Sequence, residues 1–344
     1  MSEIKFLVFA DFHYKKRMYP STVAHLDAIL QRALDESCEL IVHEGDFCNN
    51  YVGSREITRT LLSSPLPVFG IYGNHELESA GNTMAVVTPL LTNRADCVAW
   101  GTKSGKIENG SIAYYYYDIK DFRFIFLDAN YSLMPDGITY EHNKENSWTM
   151  PAGNSRCTSL GSVQLAWLDT VLTDAASRGL HCIINAHPAF YERQGCSPDS
   201  DAVRALYKKA NRQKSGTVIM SVNGHYHTDG FTAVDGVYYF DVNVAINGWW
   251  QSKKYFPYAN PEYTFDFTDY DENGKAIAHS KMPYASLSMG AQTQFFKDPL
   301  SAIVTVTSNG RINVSGSDTE WAYGITRDDL PSCSHPEISN YQSY

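Results

Sequence analysis

The chain has 344 residues, 43% hydrophobic and 19% charged, the balance of a globular protein with a sizeable core and not of a disordered one. A formal charge of -10 leaves no basic footprint, which excludes a long nucleic acid as the expected partner and favours a small substrate. Seven scattered cysteines without a Cys-x-x-Cys pair argue against a disulfide framework or a zinc knuckle, so reduced thiols and a cytoplasmic protein are expected.

Residues 1–10 enter a strand-like run at once, with no basic region, long apolar segment or cleavage site, so export is not expected. Nothing along the chain nears the roughly 20 apolar residues of a membrane span. Residues 4–10 form an apolar run, 23–34 carry apolar residues at helical spacing, and 40–43 are apolar again before Gly45-Asp46. A helix is predicted over 55–62, then a strand over 67–72 that ends at Gly73-Asn74. Such alternation predicts parallel strands in a covered sheet. From 112 to 127 two β-rich runs flank Lys120-Asp121, a hairpin pattern, and Asp128-Ala129-Asn130 closes the second. Residues 131–161 lack a period, which predicts a long loop of the lid or binding type.

An amphipathic helix over 163–176, containing Gln164, Trp167 and Leu168, leads into a strand over 181–186, and another helix is expected near 202–211. Strands over 217–222, 231–234 and 237–244, the last two around Asp235-Gly236, read as part of a second sheet. Beyond Pro261 the texture turns acidic and turn-rich, except that 302–306 and 311–314 alternate around Ser308-Asn309-Gly310. The organisation expected is a catalytic domain over 1–260 and a C-terminal extension over 261–344 whose hairpin packs on the core.

Five short motifs occur in order, each after a predicted strand: Asp11-Phe12-His13, Gly45-Asp46, Gly73-Asn74-His75-Glu76, Ala186-His187 and Gly224-His225-Tyr226-His227. Any one of them recurs by accident, but five at strand ends share the structural context that a ligand site requires. Two cations held close together carry about four positive charges, so the cage needs carboxylates, and one must bridge the metals. Asp46 is the natural bridge. Four histidines, two aspartates and one asparagine suit Mn, Fe or Zn and disfavour calcium.

With these motifs the sequence resembles the calcineurin-like metallophosphoesterase superfamily over about residues 4–245. The resemblance implies an α/β fold, a four-layer sandwich of two mixed β-sheets flanked by helices, with two metals at one end between the sheets. It implies that Asp11, His13, Asp46 and His227 hold one transition metal ion, and that Asp46, Asn74, His187 and His225 hold the other. His75 then stands free beside the pair to contact the phosphate and protonate the leaving oxygen, which suits an imidazole at neutral pH.

The function expected is hydrolysis of a phosphate ester by metal-activated water, on a phosphodiester or nucleotide first. The helix containing Gln164, Trp167 and Leu168 resembles the branch that includes bacterial cyclic-nucleotide phosphodiesterases. Phosphomonoester hydrolysis on a small metabolite or phosphoprotein is the alternative, a nuclease is a third enzyme option that the acidity disfavours, and a non-catalytic scaffold of the same fold is a reading of a different class. Purple acid phosphatases carry tyrosine where this chain has Asn49, which disfavours that subfamily.

Asn49, Tyr51, Tyr191 and Trp249 lie near the motifs in sequence and are candidates to shape the substrate pocket, against core or lid packing as the commoner fate of such residues. His43 is expected to be a satisfied core histidine and Cys48 an inert buried thiol. Glu76 is expected to stabilise its loop or a following helix N-terminus.

Overall fold

The computed structural model describes residues 2–13, 22–48, 51–76, 88, 91–101, 113–134, 136–138, 140–142, 158–191, 197–227, 230–245, 264–270, 276–283, 298–317 and 341–343. The first sheet holds β1 (Glu3–Phe9), β2 (Leu40–His43) and β3 (Val68–Gly70) in parallel, as the alternation of apolar runs and helices predicts. On the other side of β1 the sheet turns antiparallel, through β15 (Ala302–Thr307), β16 (Ile312–Ser315) and β17 (Tyr341–Ser343). The hairpin from the acidic tail is thus inserted beside β1, with six residue pairs in register from Glu3↔Thr307 to Val8↔Ala302.

The second sheet has the order β11-β12-β10-β9-β6-β5-β4. Its parallel centre is β6 (Phe122–Leu127), β9 (His181–Ala186), β10 (Val218–Asn223) and β12 (Val237–Asp241). β4 (Ala99–Trp100), β5 (Tyr115–Ile119) and β11 (Gly230–Val234) are antiparallel additions. Lys120-Asp121 makes the β5–β6 turn, and Asp235 and Gly236, both at positive φ, make the β11–β12 turn.

Alternation in each strand decides which side chains meet. Phe6 and Val8 of β1, Leu40 and Val42 of β2 and Phe69 of β3 point between the sheets, where they meet Phe124, Phe126, Ile183, Val222 and Phe240. Phe6 and Phe124 cross edge to face at 5.1 Å, and Phe69 stacks on Phe126 at 5.5 Å. Each buried ring contributes about 2 to 3 kcal/mol relative to exposure.

The opposite faces are covered by helices. α1 (Thr22–Asp35) and α2 (Tyr51–Leu62) set Leu26, Ile29, Ile57 and Leu61 on Leu7, Phe9 and Ile41. α3 (Gly161–Arg178) and α4 (Ser200–Gln213) set Leu168, Leu172, Val203 and Tyr207 on Ile125, Ile184 and Tyr239. The architecture is therefore four layers, helices outside two mixed sheets. No helix among the described residues is long and apolar enough to cross a membrane.

The structure differs from the sequence reading in several places. α2 begins at Tyr51, not at residue 55, although Gly53 and Ser54 are weak helix formers. Inside the expected loop over 131–161 a short hairpin forms from β7 (Tyr131–Leu133) and β8 (Tyr140–His142). The tail beyond Pro261 holds a further antiparallel pair, β13 (Thr264–Tyr270) with β14 (Ala276–Pro283).

Candidate metal centre

The two sheets converge where β1, β2, β3, β9 and β10 end. The backbone continues the β1–β2 ladder past the strands, with Asp11 N–H donating to Gly45 O at 3.0 Å and His13 N–H to Asp46 O at 2.8 Å. Ala245 N–H donates to Ala10 O at 2.9 Å, which ties the chain after β12, in the second sheet, to the end of β1 in the first. Side chains from both sheets are thereby delivered to one buried volume.

Asp11, His13 and His227 form one cluster. The Nε2 atoms of His13 and His227 face each other at 3.0 Å, and Asp11 Oδ1 lies 3.2 Å from His227 Nε2 and 3.7 Å from His13 Nε2. A second cluster surrounds His187 Nε2, with Asp46 Oδ2 at 3.1 Å, Asn74 Oδ1 at 3.1 Å and His225 Nδ1 at 3.3 Å. Asp46 Oδ2 also lies 3.9 Å from His13 Nε2, so the Asp46 carboxylate stands between the clusters. All seven side chains singled out as ligands meet here, and all but half-buried His225 are buried.

His75 is beside them. Its ring meets that of His13 edge to face at 5.1 Å, its Nε2 is 3.9 Å from Asp46 Oδ2, and its backbone N–H donates to Asp46 Oδ1 at 2.8 Å. His13, Asp46 and His75 thus also offer three ligand-type atoms in one place.

The donor set fits cations. Asp11 Oδ1 is fully buried and makes no hydrogen bond to any described residue, a costly state for a carboxylate unless positive charge faces it. Asp11 Oδ2, by contrast, accepts the His225 N–H at 2.8 Å, which fixes the carboxylate's direction. His187 Nδ1 donates to the Glu44 carbonyl at 2.6 Å, so Nε2, which faces Asp46 and Asn74, is the nitrogen left to exchange its proton for a cation. Imidazole nitrogens with two carboxylates and an amide oxygen match Mn, Fe or Zn better than Mg or Ca.

Electrostatics point the same way. Burial alone would push the His187 imidazole down, yet Asp46 and Asp11 outweigh it and lift it to about 10, the signature of a site that attracts positive charge. Burial also works against the Asp46 carboxylate, but His187, His75 and His13 around it hold it well below the usual range. Burial, with His187 beside it, keeps His225 neutral, the form that binds metals.

The local backbone is strained to make this geometry. Asp11, His13, Asp46, His225 and His227 all have positive φ, between 47° and 74°. Non-glycine residues rarely adopt this region, and it persists where surrounding bonds over-determine it. Gly73 allows the close approach, because a Cβ there would overlap the Asp46 carboxylate and backbone nitrogen.

Glu76 supplies much of the over-determination. Its Oε2 accepts the N–H groups of Gly73 at 2.5 Å and Asp46 at 3.1 Å, and its Oε1 accepts that of Phe47 at 2.6 Å. Burial and the Asp46 charge push this carboxyl upward, and the Gly73 and Phe47 N–H donors oppose them. Glu76 therefore stabilises its own loop through Gly73, as expected of it, and beyond that expectation clamps this loop to the one that carries Asp46 and Phe47. The only signal in the sequence is its place after Asn74-His75.

Other expectations resolve as follows. His43 lies between Phe9 and Phe47 on the outer face of the first sheet, and its Nδ1 meets no hydrogen-bond partner among the described residues, so it is a core histidine but not a fully satisfied one. Cys48 is buried, with Sγ 3.8 Å from Thr58 Oγ1. Tyr191 donates its hydroxyl to Asp241, whose other oxygen accepts Asn223 Nδ2 at 2.6 Å, and its ring packs 5.2 Å from Tyr239. Asn49 and Trp249 lie outside the described residues, as does the side chain of Tyr51 at the head of α2. A small cleft opens beside the second cluster, lined by Asn74, Ala129, Asn130, Thr158, His187, Pro188 and His225. Asn130, Thr158 and Pro188 belong to no motif the sequence reading picked out as a site, although Asn130 ends the Asp128-Ala129-Asn130 segment.

A family model described as calcineurin-like phosphoesterase matches residues 4–229. No curated protein matches the sequence significantly. Among solved structures, a dimetal phosphatase from Danio rerio aligns with a TM-score of 0.57 at 16% identity, over 92% of this chain and 98% of that one. GAP50, the anchor in the inner membrane complex of Plasmodium, aligns with a TM-score of 0.47 at 10% identity, over 94% of this chain and 88% of that one. At such identities the likeness to the Danio rerio protein is one of fold.

Proposed function

The chain belongs to the calcineurin-like phosphoesterase family, and from that premise we propose that it hydrolyses a small phosphodiester or nucleotide with two transition metal ions as cofactors. The observation that carries this reading is the pair of side-chain clusters meeting at Asp46, each with the donor chemistry of a metal site. Asp11, His13, Asp46 and His227 would hold one ion, and Asp46, Asn74, His187 and His225 the other. When bound, such ions supply Lewis acidity, offsetting phosphate charge and making water acidic enough to act as a nucleophile near neutral pH.

The chain's own groups do the rest. Water adds to phosphorus as the ester bond breaks, and the departing alkoxide needs a proton. His75 would give it; in support, its backbone N–H is held by Asp46 Oδ1 and its ring packs edge to face on that of His13. The surrounding core excludes bulk water from the buried carboxylates, which strengthens their hold on positive charge.

The test is an assay of protein reconstituted with Mn, Fe or Zn against bis-p-nitrophenyl phosphate, p-nitrophenyl phosphate, cyclic nucleotides and nucleotide diphosphates. Turnover of the diesters or nucleotides above p-nitrophenyl phosphate is expected, and the reverse order would make the protein a phosphomonoesterase. Asp46→Ala should lose both metal and activity, whereas His75→Ala should keep the metal and lose about 10² to 10⁴ in rate. Stoichiometric metal with no turnover on any of these substrates would leave only the scaffold reading.

A further inference from the structure

The cleft beside Asn74, His187 and His225 has one polar wall that the hydrolysis itself does not use. Asn130, three residues past the end of β6 and only 5% exposed, forms it. Its amide is held rigidly: Asp128 Oδ1 accepts both the Asn130 backbone N–H at 3.1 Å and its Nδ2 at 3.0 Å. Asp128 is anchored in turn. Its backbone N–H donates to Gln164 Oε1 at 2.9 Å, its carbonyl accepts Gln164 Nε2 at 2.7 Å, and its Oδ2 lies 2.9 Å from His142 Nε2. The loop after β6 is thus joined by residues of α3 and β8 to orient one side-chain amide beside the proposed metal centre.

The orientation is chemically determined. An ionised carboxylate only accepts hydrogen bonds, so the Asn130 atom against Asp128 is the nitrogen, and the amide oxygen is turned the other way. That oxygen takes no hydrogen bond from any described residue. It is a fixed acceptor on the wall of a cleft meant for a phosphate ester. The oxygens of a phosphate diester are acceptors as well and cannot pair with it. A donor on the esterified alcohol can.

We propose that Asn130 is a specificity-determining residue, accepting a hydrogen bond from a hydroxyl group on the alcohol part of the substrate. The substrate class is then a phosphate ester of a polyol, sugar or nucleoside, in preference to a plain alkyl or aryl ester. This rests on the phosphoesterase reading for the presence of a phosphate in the cleft. A site built to pair with a hydroxyl discriminates strongly against the analogue that lacks it, because its own polar group is then left without a partner.

Binding of two non-hydrolysable phosphonates to the manganese-reconstituted protein tests this, measured by calorimetry: 2,3-dihydroxypropylphosphonate and propylphosphonate. The wild type should bind the dihydroxy compound at least about tenfold more tightly, the worth of one hydrogen bond in a buried site. Asn130→Ala, and Asn130→Ser as a second variant that keeps a small polar side chain, should bring that ratio close to one. Their affinity for propylphosphonate and their metal content should stay unchanged. A wild type without preference, or variants that keep it, would overturn the proposal, as would equal loss of both phosphonates. The comparison reads binding, so failure to turn over any ester counts against the phosphoesterase reading alone.

Discussion

Glu76 sits one residue past His75, yet its carboxylate reaches back beneath the cage to the N–H groups of Gly73, Asp46 and Phe47. Glu76→Gln keeps the shape but turns an amide nitrogen toward at least one of those donors. The variant should lose about 3 kcal/mol of stability in urea unfolding, the cost of buried donors without acceptors, and should retain less metal after dialysis. Unchanged unfolding and metal content would remove Glu76 from the clamp. His43 gives a second residue-scale test. Burial pushes its imidazole down to about 3, and no charged group among the described residues opposes it. The native state keeps it neutral while the unfolded chain takes up a proton below about 6.5, so its contribution to stability is present above that pH and is lost as pH falls toward 3. Between pH 7 and pH 5 that loss is about 2 kcal/mol, and His43→Leu should flatten the pH dependence of urea unfolding by this amount. Parallel pH profiles would show that His43 takes up its proton in the folded state. At this scale the sequence showed which residue types cluster, because the chemistry of a cation cage restricts them and strand ends place them. Reach was not legible. Nothing in the order Asn74-His75-Glu76 says that the last side chain folds back on the other loop, nor that Tyr191 spends its hydroxyl on Asp241.

Arg32 shows what holds an element in place. From the last turn of α1 its Nη1 donates to Ser301 O and Oγ, both at 2.7 Å, and to Ser317 Oγ at 2.9 Å, while Nη2 donates to Gly316 O at 2.7 Å. The helix is thereby tied to both ends of the β15–β16 hairpin, which lies more than 250 residues away and forms the ladder with β1. Arg32→Ala should cost about 3 kcal/mol in urea unfolding, and Arg32→Lys should recover only part of it, since an ammonium cannot reproduce the planar fork. Full recovery by lysine would mean that charge, not geometry, joins the two elements. The long parallel strands and their helices were readable because hydrophobic periodicity was strong over many residues. β4 is two residues long and β7 and β8 three each, too short to show a period. β13 does alternate, as Thr264-Phe265-Asp266-Phe267, but its acidic positions make the stretch resemble a solvated tail.

At the scale of the whole molecule, the proposed metal centre would cross-link the two sheets. Asp11, His13, Asp46 and Asn74 come from the ends of the first sheet, and His187, His225 and His227 from those of the second. The inter-sheet core, with Phe6 on Phe124 and Phe69 on Phe126, lies along the strands and does not depend on the cage. Chelation should therefore leave the fold intact while removing the stabilisation that ligands give the native state, about 4 kcal/mol for an ion present at a thousand times its dissociation constant. For a chain of this length that corresponds to a melting temperature lower by roughly 5 to 10 °C. The loss should also be local. Hydrogen exchange should quicken at the C-terminal ends of β1, β2, β3, β9 and β10, where carboxylates and imidazoles face one another without a cation, and stay slow in the middle of β6 and β9. Exchange that rises evenly across both sheets on chelation would show that the ions hold the whole sandwich together, and no change in melting or exchange would show that these side chains do not bind them.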